Sequence, residues 1–229
     1  MRIDIMTLFP DSVDAMLNVS ILGRAQQRGY ISIQSHQIRQ YTTNRQMQVD
    51  DYPYGGGYGM VMQCQPIYDC FADITKDCAE KPHTIYMSPK GSVLTQKRAM
   101  ELSQINQGRL VILCGHYEGV DQRILDEIVD EEISIGDYVL TGGEIPACVL
   151  IDCISRMING VLSDSAAYEK ESHFSGLLEH PQYTRPEEWH GRRVPEILLS
   201  GHHANIEKWK NDTGLELTKK LRPDILNNK

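Results

Sequence analysis

The stretch SIGDYVLTGGE, Ser134 to Glu144, is the most informative feature of the chain, because a short apolar strand leads into a glycine-rich turn that carries acidic residues. A related stretch lies upstream, where the apolar run RLVILC (Arg109 to Cys114) leads into GHYEGVD (Gly115 to Asp121). Glycine lets a backbone approach a ligand closely, and loops that follow buried strands are where α/β proteins bind ligands. Neither loop is a G-x-G-x-x-G or G-x-x-x-x-G-K-[ST] motif, so the pattern indicates another kind of ligand site.

Strand and helix patterns alternate around these two loops, which predicts an α/β fold with a mostly parallel sheet. The helix that begins near Pro10 is expected to be capped by Asp11 or Ser12. Residues 43–63 are interpreted as a polar, glycine-rich loop. The expected strands are 2–9, 30–38, 83–88, 109–114 and 131–135, and the further expected helices are 65–76, 95–105, 120–129 and 144–158.

The pattern breaks between residues 160 and 175 into small and charged residues, typical of a flexible linker. Helical pieces are expected at 194–199 and 202–209, followed by a polar tail. The sequence therefore predicts a ligand-binding domain over 1–160, a linker over 161–175 and a small helical domain over 176–229.

Charge is distributed unevenly along the chain, whose formal net charge is −8. Residues 176–229 hold 9 Lys and Arg against 8 Asp and Glu, whereas residues 1–175 hold 14 against 23. A phosphate-binding surface is therefore expected in the C-terminal part, if anywhere.

The chain is expected to be cytoplasmic. No apolar run approaches the roughly 18 residues of a membrane span, and the N-terminus lacks the pattern of a secretory signal. The six cysteines form no C-x-x-C pair and complete no zinc pattern, so they are interpreted as reduced. Cys114 with His116 could form a nucleophile and its base, which is the weaker interpretation.

YMSPKG (Tyr86 to Gly91) follows a third strand, and loops after parallel strands emerge at one edge of a sheet. Each of the three loops alone could be a turn with a helix cap. Together they offer backbone amides, apolar side chains and the carboxylate of Glu118, and they contain no G-x-S-x-G motif. This set suits a heterocycle, a ribose and a cationic group better than a phosphate.

VDDYPYGGGYGM, Val49 to Met60, has the composition of a mobile lid and is called the lid segment below. Its four glycines give backbone freedom, and Tyr52, Tyr54 and Tyr58 offer flat surfaces on which a base can stack. The alternative interpretation is a disordered surface loop.

Eight ordered blocks over nearly the whole chain resemble the bacterial tRNA (guanine-37-N1)-methyltransferases of the SPOUT superfamily. The blocks are LFP (Leu8 to Pro10), the lid segment, YMSPKG, GHYEGVD, SIGDYVLTGGE, LIDCISRMINGVL (Leu150 to Leu162), GLLEHPQYTRP (Gly176 to Pro186) and LLSGHHANIEKW (Leu198 to Trp209).

This resemblance implies a catalytic domain with a deep trefoil knot. It implies that S-adenosylmethionine is held bent by the three loops and that two protomers form a homodimer with shared active sites. It also implies that the helical C-terminal domain grips tRNA. The expected reaction methylates N1 of guanosine 37 when another guanosine precedes it, which maintains the reading frame. Mg²⁺ could act through the tRNA or a carboxylate, although no metal-ligand cluster stands out.

The resemblance also assigns roles to individual residues. Arg156 matches an arginine near the reacting base, although a structural ion pair is its alternative role. The tRNA-binding set is Asp51, Gly57, Gly59, Arg185, Arg192, Arg193, His203 and Lys208, with Lys210 as a further phosphate contact. The set around the methyl donor is Tyr86, Ser88, Pro89, Gly115, Glu118, Ile135, Gly136, Tyr138, Leu140, Gly142, Gly143 and Pro146.

The chain departs from the family pattern at the general base. Glu171 stands where an aspartate is usual, five residues before Gly176, and His173 is a weaker candidate after a one-residue slip. His116 stands where many members have arginine. Two functional alternatives follow, namely a SPOUT enzyme acting on another RNA and a tRNA-binding module that has lost catalysis. A metabolic enzyme without an RNA substrate would leave the basic, aromatic C-terminal segment unexplained.

Overall fold

Five parallel strands form the central sheet of the protein, in the order β2-β1-β6-β5-β7. The computed structural model describes residues 1–105, 108–163, 168 and 171–227. The central strand β6 is buried along nearly its whole length, as expected for a parallel sheet covered on both faces. The strands are β1 (Arg2–Thr7), β2 (Ser32–Gln37), β5 (His83–Val93), β6 (Arg109–Cys114) and β7 (Glu131–Ser134). The predicted parallel α/β architecture is therefore confirmed.

The chain divides into two compact units, Met1–Ser163 and Asp164–Lys229. In the first unit, two hydrophobic clusters contain the core side chains, one around Ile3, Ile85 and Ile151 and the other around Met6, Ile67 and Leu113. The helices of this unit are α1 (Pro10–Leu17), α2 (Ser20–Gln27), a 3₁₀ helix (Ile38–Tyr41), α3 (Cys64–Thr75), α4 (Gln96–Ser103), α5 (Gln122–Ile128) and α6 (Glu144–Ser155).

Helix α1 begins differently from the sequence expectation. Phe9 occupies the N-cap position and makes no side-chain cap hydrogen bond, whereas Pro10 lies in the first turn. The expected cap by Asp11 or Ser12 is wrong, because the fixed φ of Pro10 suits the first helical position and the helix begins there, which places Asp11 and Ser12 inside its first turn.

Strand β5 is longer than expected, and YMSPKG is part of it rather than a loop after it. Met87 and Ser92 both pair with Ile133 of β7, so the residues between them protrude from the ladder. Such an irregularity redirects the strand locally while keeping its pairing on both sides.

The polar segment 43–63 also contains regular structure that the sequence did not reveal. Two-residue strands β3 (Asp50–Asp51) and β4 (Val61–Met62) pair antiparallel and close the lid segment into a hairpin. Strands this short have no detectable alternation, which explains the omission.

A buried charge network crosses β1. Asp4 is fully buried, and its carboxylate accepts hydrogen bonds from Arg2 Nε (2.9 Å) and Arg109 Nε (2.9 Å) and lies 2.8 Å from His36 Nε2. Burial raises the pKa of Asp4, but hydrogen bonds from His36 and Arg2 and the charge of Arg109 outweigh it, so the pKa is lowered. The network is structural.

The second unit is mainly helical, with α7 (Glu196–Leu199), α8 (His203–Leu221) and α9 (Pro223–Asn227). Residues 210–221, expected as part of a polar tail, continue α8, whose Thr218 side chain accepts a hydrogen bond of 2.8 Å from the Leu178 N–H. Strands β8 (Glu188–Trp189) and β9 (Arg192–Arg193) form an additional hairpin. Of the expected linker 161–175, residues 164–167, 169 and 170 lie outside the described residues.

Candidate functional site

The irregular part of β5 and the loops that follow β6 and β7 form one cleft of about 270 Å³. It is lined by residues 86–90, 115–120 and 132–135 and by parts of the segment 138–146. This volume lies just below the range of about 300–1,000 Å³ that is typical of small-molecule sites, so the cleft has room for no more than one such ligand. The convergence expected from the order of the strands is therefore present, and we call this space the cleft.

Eleven of the twelve residues expected around a methyl donor line the cleft. Gly136 is not among the lining residues, and its assignment to the methyl donor stays a prediction. Ser134 Oγ donates to the Gly136 carbonyl (2.9 Å), and Gly136 accepts another hydrogen bond from the Tyr138 N–H (2.9 Å), so this glycine shapes the turn beneath the lining. The lining residues are Tyr86, Ser88, Pro89, Gly115, Glu118, Ile135, Tyr138, Leu140, Gly142, Gly143 and Pro146.

The loop after β7 folds back onto the end of β6. Gly143 N donates to Gly115 O at 2.9 Å, and His116 and Gly142 form an isolated antiparallel bridge. A Cβ atom on Gly143 would lie 2.8 Å from Cys114 Cα, a backbone atom that cannot yield. Glycine is therefore required for the loop to close over the strand end.

The lid segment is attached to the cleft at its base. Glu118 N donates to Met60 O (3.0 Å) and Met62 N donates to Gly119 O (2.9 Å). Gly59 has a φ of +82°, and a Cβ atom there would lie 2.5 Å from Glu118 Cγ and Oε1. The lid segment thus contacts the cleft at Glu118, whose carboxylate is part of the lining of the cleft.

Three tyrosines of the lid segment project into solvent. Tyr52, Tyr54 and Tyr58 are 80%, 99% and 98% exposed. Such rings bury large apolar area only when a partner covers them, and nucleobases are suitable partners. Asp51, Gly57 and Gly59, expected at the tRNA, are exposed in the same segment.

The thiol of Cys114 is unsuited to nucleophilic chemistry. Cys114 is fully buried, and burial raises its pKa well above the usual value, with the charge of Glu144 adding to the effect. Because the thiolate is the nucleophile, this environment disfavours the pair with His116 considered from the sequence. All six cysteines are free thiols, as expected.

Two buried polar atoms without a hydrogen-bond partner in the described part of the chain belong to residues on the cleft. They are His116 Nδ1 and Glu132 Oε2. Sequence reasoning did not assign Glu132 to the site, although its alternation with Glu131 along β7 could have placed it on the opposite face of the sheet. Lys90, Tyr117, Gln122 and Thr141 are further lining residues that the motifs did not single out.

Arg156 and Glu171, the expected catalytic residues, belong to different units. Arg156 was expected within a long apolar helix, but α6 ends at Ser155 and Arg156 is its half-buried C-cap residue. Its backbone N–H donates to Asp152 O at 3.3 Å. Glu171 is half-buried in a turn, where its N–H donates to Tyr168 O at 3.2 Å, and His173 is exposed.

The second unit presents exposed cationic side chains. Arg185, Arg192 and His203 are exposed. Arg193 pairs with Glu188 at 3.0 Å, and Lys208 pairs with Asp212 at 2.5 Å. Exposed pairs contribute little to stability, so they can exchange their carboxylates for phosphates at small cost. Lys210 is likewise paired, with Glu207 at 3.2 Å.

Within residues 1–105, 108–163, 168 and 171–227, no group of three or more His, Cys, Asp or Glu side chains could hold a metal ion. Among the helices of the same residues, none is long and apolar enough to cross a membrane.

A parallel sheet with a small-molecule cleft at its carboxyl edge, followed by a helical unit with exposed cations, defines an α/β protein of the ligand-binding class. Residues 1–228 match the model of the family described as tRNA (Guanine-1)-methyltransferase TrmD. The chain belongs to this family.

Similar proteins bear the same description over almost their full length. The chain is 56% identical over 227 residues to the tRNA (guanine-N(1)-)-methyltransferase of Ruminiclostridium cellulolyticum, covering 99% of this chain and 97% of that protein. It is 54% identical to the protein of that name from Lachnospira eligens, with coverage of 98% and 94%. The protein of that name from Halalkalibacterium halodurans is 48% identical, with coverage of 99% and 91%.

Proposed function

We propose that the protein transfers a methyl group from S-adenosylmethionine to N1 of a guanosine in tRNA, at position 37 and next to a preceding guanosine. Membership of the family supports the reaction and the RNA substrate. The observation that carries the proposal is the cleft where the irregular part of β5 meets the loops that follow β6 and β7. The outcome in the cell would be maintenance of the reading frame, and the proposed compartment is the cytoplasm.

The cleft suits the methyl donor in size and chemistry. Ile135, Leu140 and Pro146 offer apolar surface for an adenine, while the backbone of Gly115 and the carboxylate of Glu118 offer hydrogen-bond acceptors for a ribose and an amino group. When bound, S-adenosylmethionine supplies an electrophilic methyl group. The chain's part is to hold the donor in one orientation.

Glu171 is the proposed general base. N1 of guanine carries a proton at neutral pH, and the carboxylate of Glu171 removes it as N1 attacks the methyl group. Negative charge then develops on O6, where the guanidinium of Arg156 stabilises it. The methyl group passes directly to N1, so no covalent enzyme intermediate forms.

The target guanine must leave the anticodon stack to reach the methyl donor. The exposed tyrosines of the lid segment are proposed to receive bases turned out in this way, since stacking on an aromatic ring does not require a specific base. The segment 161–175 is proposed as the linker that places Glu171 when tRNA binds.

The unit that contains α8 is proposed to grip the tRNA backbone through Arg185, Arg192, Arg193, His203 and Lys208. Their exposure and the weak ion pairs of Arg193 and Lys208 support this role. Because phosphate contacts release counterions, tRNA affinity should fall steeply with salt concentration.

A homodimer with shared active sites is proposed as well. Helices α1 and α6 contact each other and expose large apolar side chains, including Met16 (51%), Ile145 (52%) and Val149 (39%), with Phe9 (42%) beside them. An apolar face of this kind is typical of subunit interfaces. The trefoil knot and any use of Mg²⁺ stay predictions from the resemblance.

The test is methyl transfer from labelled S-adenosylmethionine to a tRNA transcript with guanosines at positions 36 and 37. Primer extension locates the product, and extension should stop at position 37. A transcript with adenosine at position 37 is the matched control and should accept no label. Label at another position, or in ribosomal RNA alone, would establish a different RNA target.

Glu171→Gln tests the general base within the same assay. The single-turnover rate should fall by about 100-fold or more, with unchanged affinity for S-adenosylmethionine, because the amide cannot accept the N1 proton. Glu179→Gln, an exposed position nearby in the chain, is the control. If the wild-type protein binds donor and tRNA without transfer, the chain is a binding module that has lost catalysis.

A further inference from the structure

The carboxylate of Glu132 is the one acidic group of the described lining with an orphaned buried atom. Its Oε2 is buried and has no hydrogen-bond partner among the described residues. Buried polar atoms are nearly always paired in native proteins, and each exception needs a physical explanation. A ligand group that enters the cleft and pairs with this oxygen is such an explanation.

The neighbouring glutamate shows that the orphaned position is specific to Glu132. Side chains alternate between the faces of a strand, and Glu131 faces α4, where it accepts a hydrogen bond from Arg98 Nη2 (2.6 Å) and lies 2.6 Å from His83 Nε2. Glu132 is the cross-strand neighbour of Tyr86, and both residues line the cleft. One glutamate of β7 is thus paired within the fold, and the next is directed to the cleft.

The charged groups around Glu132 do not neutralise it. Lys90 and Glu118 also line the cleft and are exposed, and the described ion pairs include none between Lys90 and Glu132. Tyr86 is the cross-strand partner of Glu132, but Glu132 Oε2 accepts no hydrogen bond from it or from any other described residue. The unpaired carboxylate oxygen therefore favours a ligand that brings a hydrogen-bond donor, and a positively charged donor makes the stronger bond.

We propose that Glu132 is a specificity-determining residue that pairs with the positively charged methionine end of the methyl donor and so favours S-adenosylmethionine over S-adenosylhomocysteine. This inference rests on the proposed function, which supplies the identity of the ligand. The donor carries a sulfonium and an ammonium group, whereas the product has lost the sulfonium charge. An anion beside this end of the ligand binds the donor more tightly than the product, which promotes product exchange.

The test compares Glu132→Gln with the wild-type protein by calorimetric titration of three ligands. Because Gln preserves shape and removes the charge, affinity for S-adenosylmethionine should fall by about 10- to 100-fold. Affinity for S-adenosylhomocysteine should fall by a smaller factor, and affinity for adenosine should stay within about 2-fold. The ratio of the first two affinities is the decisive quantity, because a general loss of structure would lower all three.

Thermal unfolding without ligand provides a second readout. Glu132→Gln removes a buried group without a partner and should leave the melting temperature equal or higher. Glu131→Gln, the matched control on the same strand, removes the acceptor of Arg98 and should lower the melting temperature while leaving the ratio of affinities unchanged.

The outcomes separate this inference from the function on which it rests. If the wild-type protein binds none of the three ligands, the proposed function fails. If it binds S-adenosylmethionine and Glu132→Gln binds it equally well, or loses all three ligands alike, the inference is wrong and the function stands. A lower melting temperature with unchanged ligand affinities would mean that Glu132 pairs with Tyr86 in solution, which also overturns the inference.

Discussion

Replacing Gly59 by alanine should displace Glu118 and weaken binding of the methyl donor. Gly59 lies in the left-handed region at φ +82°, and its Cβ would lie 2.5 Å from Glu118 Cγ. The lid segment contains a matched control, because Gly56 has a φ of +77° but nothing within 4 Å of its Cβ position. Both variants strain the backbone in the same way, and only one meets the carboxylate.

The magnitude follows from these two contributions. A non-glycine residue in the left-handed region costs about 1–2 kcal/mol, and both variants bear this cost within the lid segment. Gly59→Ala additionally forces Glu118 out of its rotamer, at about 0.5–1.5 kcal/mol. If Glu118 contacts the bound donor, Gly59→Ala should bind it about 2- to 12-fold more weakly than Gly56→Ala.

The assay is titration of S-adenosylmethionine into five proteins, namely the wild type, Gly56→Ala, Gly59→Ala, Glu118→Ala and the double variant Gly59→Ala/Glu118→Ala. The difference between the effect of Gly59→Ala in the two backgrounds is the coupling energy of this contact. This coupling energy should account for most of the affinity that Gly59→Ala loses relative to Gly56→Ala, because the shortened side chain in Glu118→Ala leaves room for the new methyl group. Equal affinities for Gly59→Ala and Gly56→Ala, or an undiminished effect in the Glu118→Ala background, would refute the reasoning.

Three further outcomes are expected. Asp4→Asn should destabilise the protein by about 3–5 kcal/mol at pH 7, because it leaves Arg109 without its buried partner. Folding lowers the pKa of Asp4, so the stability that its carboxylate contributes is complete above the unfolded pKa of about 3.9 and is lost as pH falls through the folded pKa. The melting temperatures of the wild type and Asp4→Asn should therefore converge in acid. A difference that stays constant with pH would contradict the network. Cys114 should resist alkylation of the native protein as followed by mass spectrometry, because burial raises its pKa; rapid labelling would show that the strand end opens. Trp189 is 62% exposed on the β8–β9 hairpin and is the tryptophan that remains in Trp209→Phe. Bound tRNA should therefore quench the fluorescence of Trp209→Phe more than that of Trp189→Phe. Equal quenching of the two variants would argue against contact at the hairpin.

The sequence alone predicted the parallel sheet and most of the cleft. The apolar run of β6 and the alternation of strand and helix patterns required a sheet covered on both faces, and the order of the loops placed them at one edge. Eleven of twelve residues assigned to the donor from the motifs line one cleft. These features depend on local sequence or on the order of the elements, so hydrophobic periodicity and sequence motifs can predict them.

Features that depend on contacts between distant segments were not predictable in this way. The bulge of β5 exists because Met87 and Ser92 both pair with Ile133 on another strand. The end of α6 at Ser155, one residue before Arg156, was missed because the apolar pattern continues beyond it. The continuation of α8 through residues 210–221 was missed because its face is mostly polar.

By itself, the sequence determined the class of fold, the strand-end loops that form the site and the family to which the chain belongs. Only the tertiary structure decided that Gly59 contacts Glu118, that Cys114 is sealed from solvent and that Glu132 Oε2 lacks a partner among the described residues while Glu131 has two. The physical reason is that hydrophobic periodicity fixes which face of an element is buried. Whether a buried polar atom is paired depends on side chains brought together from distant parts of the chain.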